Sequence, residues 1–135
     1  MAISVVAFSL GLYGCSSFRT TATDTADIIG EWSIVKAEQV STKSGAAPAT
    51  IRFDAEGKIS GCASVNRFFG SYKFDGNALS LDGIGLTRMM GPNMEIEDAV
   101  VKALSETHSV QIKKNKASFF NSDGAKVMEL KKMAE

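Results

Sequence analysis

The stretch that decides the fold is Gly57-Lys58-Ile59-Ser60-Gly61-Cys62-Ala63-Ser64-Val65-Asn66-Arg67-Phe68-Phe69-Gly70-Ser71-Tyr72-Lys73-Phe74. Its first residues return from a turn at Gly57 as a short strand, and residues 61–66 then break the alternation of polar and apolar side chains. Glycine and asparagine tolerate positive φ, so a bulge or corner is predicted there. Alternation resumes over residues 67–74, with Phe68, Gly70, Tyr72 and Phe74 on one face. The stretch therefore predicts strand, corner and strand.

Further short strands are predicted on both sides of this stretch. Residues 28–40 open the domain with Trp32 as a core residue, and residues 50–54 form the first arm of the hairpin. Asp75-Gly76-Asn77 is a strong turn signal before a strand that begins at Ala78 and continues irregularly to residue 88. Strands at 109–113, 117–121 and 126–131 complete the chain. Short strands joined by hairpins favour closure, so we predict a mainly β (α+β) fold: a compact antiparallel β-barrel-like domain of about seven or eight strands.

One helix is predicted late in the chain, from residue 94 to residue 106. Gly91-Pro92-Asn93 ends the strand pattern, and Asn93 is a plausible N-cap. Ile96, Val100 and Leu104 form an apolar stripe at helical spacing, with Ala99 and Ala103 beside it. The acidic residues Glu95, Glu97 and Asp98 are interpreted as helix-dipole residues rather than metal ligands. The stripe predicts that the helix packs on the open end or a face of the sheet.

Length and charge exclude several protein classes. The chain has 135 residues, which fits one domain, and its 15 basic and 15 acidic residues cancel. A nucleic-acid binder normally carries a basic excess, so no nucleic-acid partner is expected. The motifs of zinc proteases, thiol redox proteins, phosphate loops and serine hydrolases are missing from the sequence. We therefore predict no enzyme activity, no cofactor and no metal, and we expect a monomer.

The N-terminus predicts a lipoprotein signal. Residues 2–11 form an apolar run with the length of a signal-peptide core, roughly 7–15 residues, and it is too short to span a bilayer. The following Leu12-Tyr13-Gly14-Cys15 resembles a bacterial lipobox, although Tyr13 is bulky and no basic residue precedes the run. We expect a signal peptide at 1–14, lipidation of Cys15, a flexible tether at 15–27 and a folded domain at 28–135. Ser16 after the cysteine favours the outer membrane, facing the periplasm.

Two blocks of the sequence resemble the signatures of a known family. Ile59-Ser60-Gly61, followed by Asn66-Arg67-Phe68-Phe69-Gly70-Ser71-Tyr72, is similar to the central signature of the META/HslJ family of small bacterial envelope proteins, and Thr87-Arg88-Met89-Met90 is similar to its second signature. The resemblance covers roughly residues 29–130. It implies a compact antiparallel barrel-like fold with one helix and an envelope location, and it implies no reaction. Its motif residues here are Asn66, Arg67, Gly70, Thr87 and Arg88.

The chain departs from the family pattern at two positions. Family members often carry a cysteine just before the Asn-Arg pair and another just after Thr-Arg-Met-Met, where this chain has Val65 and Gly91. The resemblance implies that those cysteines pair, so no such bridge is predicted here. Cys62 is then expected to stay a free, buried thiol. A catalytic pair with His108, the single histidine, is not expected because the two lie far apart in sequence.

Several interpretations of the motif residues remain open from sequence alone. Arg67 and Arg88 could hold a carboxylate or phosphate. The favoured alternative is structural: Asn66 and Thr87 satisfy backbone groups at corners, while the arginines pair with acids across the sheet.

The methionines near the helix entry, Met89, Met90 and Met94, are expected to fill the core under the helix. The alternative is that they form an apolar groove that accepts an acyl chain or a partner peptide. We expect a non-enzymatic outer-membrane lipoprotein that binds an envelope protein, peptide or lipid. The alternative is a small-molecule or anion-binding periplasmic stress protein that uses Arg67 and Arg88.

Overall fold

The computed structural model describes residues 25–133, with side chains from residue 27 onward. A four-residue helix, α1, overlaps the end of the predicted tether, and the predicted signal peptide and Cys15 lie outside the described residues. The elements in chain order are α1 (Thr25–Ile28), β1 (Gly30–Ala37), β2 (Val40–Ser41), β3 (Thr50–Phe53), β4 (Lys58–Cys62), β5 (Arg67–Asp75), β6 (Ala78–Leu86), α2 (Met94–Glu106), β7 (Ser109–Lys113), β8 (Lys116–Phe120) and β9 (Lys126–Lys132).

The strands form a closed antiparallel barrel. Each of β3 to β9 pairs with its neighbour in sequence, and β1 pairs with both β3 and β9, which closes the barrel with eight strands. The two-residue β2 is added to the end of β1. The predicted mainly β barrel with one long helix is confirmed. The weakest junction is between β6 and β7, where Ala78 and Ser109 are the single paired position.

The antiparallel order places the two signature blocks at one end of the barrel. The β4–β5 corner, residues 63–66, and the β6–α2 loop, residues 87–93, follow strands that run in the same direction. We call this end the motif end. The start of β1 and the β3–β4, β5–β6 and β7–β8 turns lie at the opposite end. The signatures therefore meet in space although they are about 20 residues apart in sequence.

The barrel interior and one side of α2 form a single core. Trp32, Phe53, Phe68 and Phe119 are fully buried, and Phe53 packs edge-to-face against both Tyr72 and Phe119. The predicted stripe of α2 is confirmed, since all five of its residues are buried: Ile96, Ala99, Val100, Ala103 and Leu104. Burial of each large apolar side chain contributes roughly 1.5–3 kcal/mol, so this helix face holds α2 against the barrel.

Two local predictions need correction. Strand alternation in residues 28–40 predicts that Val35 and Ala37 share one face of β1. A register shift against β9 between Ile34 and Lys36 instead turns Ala37 into the core and leaves Val35 exposed. Asn93 occupies the N-cap position, yet its left-handed backbone (φ 55°) directs its side chain elsewhere, and its Nδ2 donates to the Ser44 carbonyl at 2.6 Å. The predicted irregular continuation of β6 is confirmed: its register against β5 shifts between Phe69 and Ser71, Gly83 has a positive φ of 62°, and the strand ends at Leu86.

Tyr72 is the buried titratable group of the barrel wall. Its hydroxyl donates a hydrogen bond to the carbonyl oxygen of Asp54. Desolvation by burial, and to a smaller extent the negative charge of Asp54, raise the pKa of this tyrosine. The neutral phenol is therefore the form that the folded barrel stabilises.

Candidate functional site

Asn66 is the centre of a hydrogen-bond network at the motif end. It is 2% exposed. Its Nδ2 donates to the Met89 carbonyl at 2.9 Å and to Glu97 Oε2 at 2.6 Å. Its Oδ1 accepts from Thr87 Oγ1 at 2.8 Å and from the Met89 amide at 2.7 Å. All four hydrogen-bonding positions of the side chain are therefore used, and the loop backbone at Met89 is fixed through both its N–H and its carbonyl.

Glu97 completes this network from the helix. Its side chain is 5% exposed, and Oε1 accepts from the backbone amides of Val65 and Asn66 at 3.0 and 2.6 Å. No cationic side chain among residues 27–133 lies within 4.0 Å of it. A buried carboxylate is stabilised here by three N–H donors rather than by a counter-charge. Glu97 thus joins the β4–β5 corner to α2, a role that its interpretation as a dipole residue missed.

A periodicity signal could have identified Glu97. It lies three residues before Val100 and seven before Leu104, so it falls inside the buried stripe of α2 rather than on the solvent face. A charged residue in an apolar stripe predicts a specific partner, because burial of an unpaired carboxylate is costly.

Thr87 joins the first residue of β5 to the β6–α2 loop. Its Oγ1 accepts from the Arg67 amide at 3.1 Å, and its own amide donates to the Arg67 carbonyl at 3.0 Å. The predicted structural role of Asn66 and Thr87 at irregular corners is confirmed. Gly70 is also structural, because a Cβ there would lie 2.8 Å from the carbonyl oxygen of Asp82.

The two signature arginines remain without acidic partners in the described chain. Both Arg67 and Arg88 are exposed, and the ion pairs within residues 27–133 involve Lys102 and Lys126 instead. The expectation that these arginines pair with acids across the sheet is therefore wrong. Arg67 lies on the outer face of β5, and Arg88 lies in the β6–α2 loop, one residue after Thr87.

The methionines of the loop are exposed rather than buried. Met89 is 58% exposed and Met90 is 86% exposed, so the prediction that they fill the core under α2 is wrong for both. Met94 alone is half-buried. Asn66 fixes the backbone at Met89, so the exposed thioethers belong to a loop that is ordered at this point.

Val65 and Gly91 are in contact at the motif end. A Cβ built on Gly91 would lie 2.9 Å from Val65 Cγ2 and 3.6 Å from Val65 Cβ. The valine methyl groups therefore occupy the space that a side chain at residue 91 would need. These are the positions where the family resemblance implies a cysteine pair, and the structure brings them together.

Cys62 and His108 do not form a site. Cys62 is a free, half-buried thiol, and its Sγ lies 3.7 Å from the Ser64 carbonyl oxygen. His108 lies beside Leu79, near the opposite end of the barrel. Within the described residues there is no cluster of three or more potential metal ligands among histidine, cysteine and acidic side chains. No helix of residues 25–133 has the length and apolarity needed to cross a membrane.

Comparison with known proteins gives a family and a fold. Two solved NMR structures are similar. One is 23% identical with a TM-score of 0.64, and the match covers 81% of this chain and 95% of the other. The second, from Burkholderia xenovorans, is 24% identical with a TM-score of 0.62, and the match covers 92% of this chain and 100% of the other. A crystal structure of a DUF4847 family protein from Bacteroides vulgatus ATCC 8482 is 14% identical with a TM-score of 0.59, covering 80% and 95%. No curated protein gave a significant match. The META domain model matches residues 26–134, almost the whole described barrel, and this chain belongs to the META domain family.

Proposed function

We propose that this META domain protein is a non-enzymatic accessory protein of the bacterial cell envelope, which binds an envelope protein, peptide or lipid through its motif end. The observation that carries the proposal is that the β6–α2 loop, residues 87–93, is ordered and yet exposes apolar side chains. Its backbone is fixed by Asn66, yet Met89 and Met90 are 58% and 86% exposed. Exposed apolar side chains on an ordered loop are typical of binding surfaces, and flexible methionines adapt to varied partners.

The polar residues of the signatures support binding rather than catalysis. Asn66, Thr87 and Glu97 direct their side-chain atoms to each other and to loop backbone. These groups therefore build the loop and are not directed at a substrate. What the motif end offers to a partner is the outer surface of the loop, with its methionines and arginines.

The envelope location rests on the sequence. The apolar run before Gly14-Cys15 and the serine that follows support a lipid anchor at Cys15 in the outer membrane. A second candidate function, anion binding by a periplasmic stress protein, is favoured by one observation. Arg67 and Arg88 are exposed and have no acidic partner within the described residues, so both guanidinium groups are available to a carboxylate or phosphate.

Site-specific photocrosslinking in intact cells tests the leading proposal. A benzophenone amino acid replaces Met90 in the full chain, and the matched control carries it at Lys113, an exposed position at the opposite end. Crosslinks to one dominant envelope component from position 90 alone support the proposal. Equal or absent crosslinking from the two positions contradicts it. Retained crosslinking with lost anion affinity in Arg67→Ala/Arg88→Ala would add the anion-binding function.

A further inference from the structure

One continuous surface at the motif end combines exposed cations with exposed apolar side chains. We call it the cationic–apolar patch, and it consists of Arg67, Phe69, Arg88, Met89 and Met90. Arg67 and Phe69 share the outer face of β5, and Phe69, 54% exposed, pairs with Gly85 of β6. The hydrogen bonds between Arg67 and Thr87 place the loop directly beside this strand end. Register and hydrogen bonding thus place all five residues, each of them exposed, next to one another at the motif end.

The charge of the patch is not neutralised by neighbouring acids. Exposed acids close to the patch along the chain are Asp82 on β6, which pairs with Ser71 of β5, and Glu95 and Asp98 on the first turns of α2, and none of the three lies within 4.0 Å of Arg67 or Arg88. A further cation, Lys43, belongs to the loop that Asn93 holds through Ser44. The patch is therefore suited to a partner that presents negative charge beside an apolar layer.

We propose that the patch docks on a bilayer surface that contains anionic phospholipids. Met89 and Met90 enter the boundary between headgroups and acyl chains, and Arg67 and Arg88 contact lipid phosphates. This deepens the proposed function, on which it rests, by naming the partner. Met90 is 86% exposed and contacts little of its own protein, so its side chain is free to insert between lipid headgroups. A surface hollow of about 370 Å³ lies beside residues 42–49, and one of about 480 Å³ adjoins the patch at Phe69.

The chain length before the barrel is compatible with such docking. β1 begins at the end opposite the patch. Nine residues, 16–24, separate Cys15 from α1, and such a segment spans at most about 32 Å when extended. A nine-residue strand such as β5 is about 30 Å long. A lipid on Cys15 and the patch can therefore reach the same bilayer.

The test places an environment-sensitive fluorophore in the patch. The full chain carries Cys15→Ala, Cys62→Ala and Met90→Cys labelled with NBD, and the matched protein carries the label at Lys113→Cys instead. The probes are vesicles of phosphatidylglycerol with phosphatidylethanolamine, vesicles of phosphatidylcholine alone, glycerol phosphate and poly-glutamate. We expect a blue shift at position 90 with the anionic vesicles only, and no shift at position 113. Comparison of the two labelled positions removes any shared effect of the N-terminal residues.

Charge variants then assign the binding to the patch. Each arginine contributes about fivefold in vesicle affinity, so Arg67→Ala/Arg88→Ala should weaken binding about 25-fold. Lys113→Ala/Lys116→Ala removes the same charge at the opposite end and should leave affinity within about twofold. Circular dichroism confirms that each variant is folded. A similar loss in both double variants overturns the assignment, since net charge alone would explain it.

The remaining outcomes are equally decisive. No shift with anionic vesicles overturns the lipid assignment, and a shift with poly-glutamate or glycerol phosphate of equal size replaces it by an acidic protein or a free anion. Crosslinking from position 90 to an envelope protein, together with a failed vesicle test, would overturn this inference and leave the proposed function standing.

Discussion

The contact between Val65 and Gly91 predicts that a disulfide can be introduced without distortion. The Cβ atoms would be 3.6 Å apart, within the 3.5–4.5 Å that disulfides require. Gly91 is not among the residues with positive φ, so a side chain there needs no unusual backbone. In Val65→Cys/Gly91→Cys, the valine methyl groups that would obstruct residue 91 are removed. The double variant should therefore oxidise readily.

The size of the effect follows from the length of the closed loop. The bridge would enclose residues 65–91, which is 91 − 65 + 1 = 27 residues. Loop-closure entropy then stabilises the folded chain by about 3.5 kcal/mol. For a domain of this size, that corresponds to a rise in Tm of roughly 10–20 °C. The gain should disappear on reduction, because the reduced chain has no closed loop.

The assay is urea unfolding of the full chain with Cys15→Ala and Cys62→Ala, so that the new thiols can pair only with each other. Intact mass and peptide mapping identify the bridge, and unfolding is compared with and without dithiothreitol. Two controls test the packing argument. Gly91→Ala alone should be destabilised, since its Cβ would lie 2.9 Å from Val65 Cγ2, and Val65→Ala/Gly91→Ala should relieve part of that cost. Failure of the bridge to form, or a bridge without added stability, would refute the reasoning.

Four further predictions follow from the site and the core. Glu97→Gln should lower the free energy of unfolding by about 1–3 kcal/mol, because one carboxylate oxygen that accepts N–H groups becomes a donor; an unchanged urea midpoint would contradict this. The raised pKa of Tyr72 means that the unfolded chain loses this proton first, so stability should fall as pH rises above about 10, and Tyr72→Phe should flatten that alkaline decline. Under mild peroxide, mass spectrometry should find Met90 oxidised well before Met128, which is 1% exposed; equal rates would show that the loop is not exposed as described. Cys15→Ala should release the protein from membranes, and unchanged fractionation together with an unchanged N-terminal mass would reject the lipid anchor.

Local pattern was sufficient for most of the elements. Residues 94–106 and 109–113 were predicted with the bounds that the structure shows, because helical periodicity and strand alternation there are uninterrupted. The structural role of Asn66 and Thr87 also followed from residue type, since asparagine and threonine readily bond nearby backbone.

What the sequence left undetermined depends on contacts between distant residues. Nothing in the sequence around Arg67 shows that it has no acidic partner, and nothing around Met90 shows that α2 leaves its side chain uncovered. Glu97 was assigned to the helix dipole because the first turn explained its charge, whereas its partners lie in the β4–β5 corner about 30 residues earlier. The shift in β1 that buries Ala37 likewise appears only in its pairing with β9.

Closure of the barrel by its first and last strands has a consequence for how the chain folds. Trp32 pairs with Lys132, so residues near the two ends of the described chain must meet before the sheet is complete. Contacts between residues this distant in sequence make folding slow, because the loop entropy is lost before the contact is gained. When the chain emerges N-terminus first, one edge of β1 stays unpaired until β9 has also emerged. The topology thus delays the native barrel until the whole domain is available.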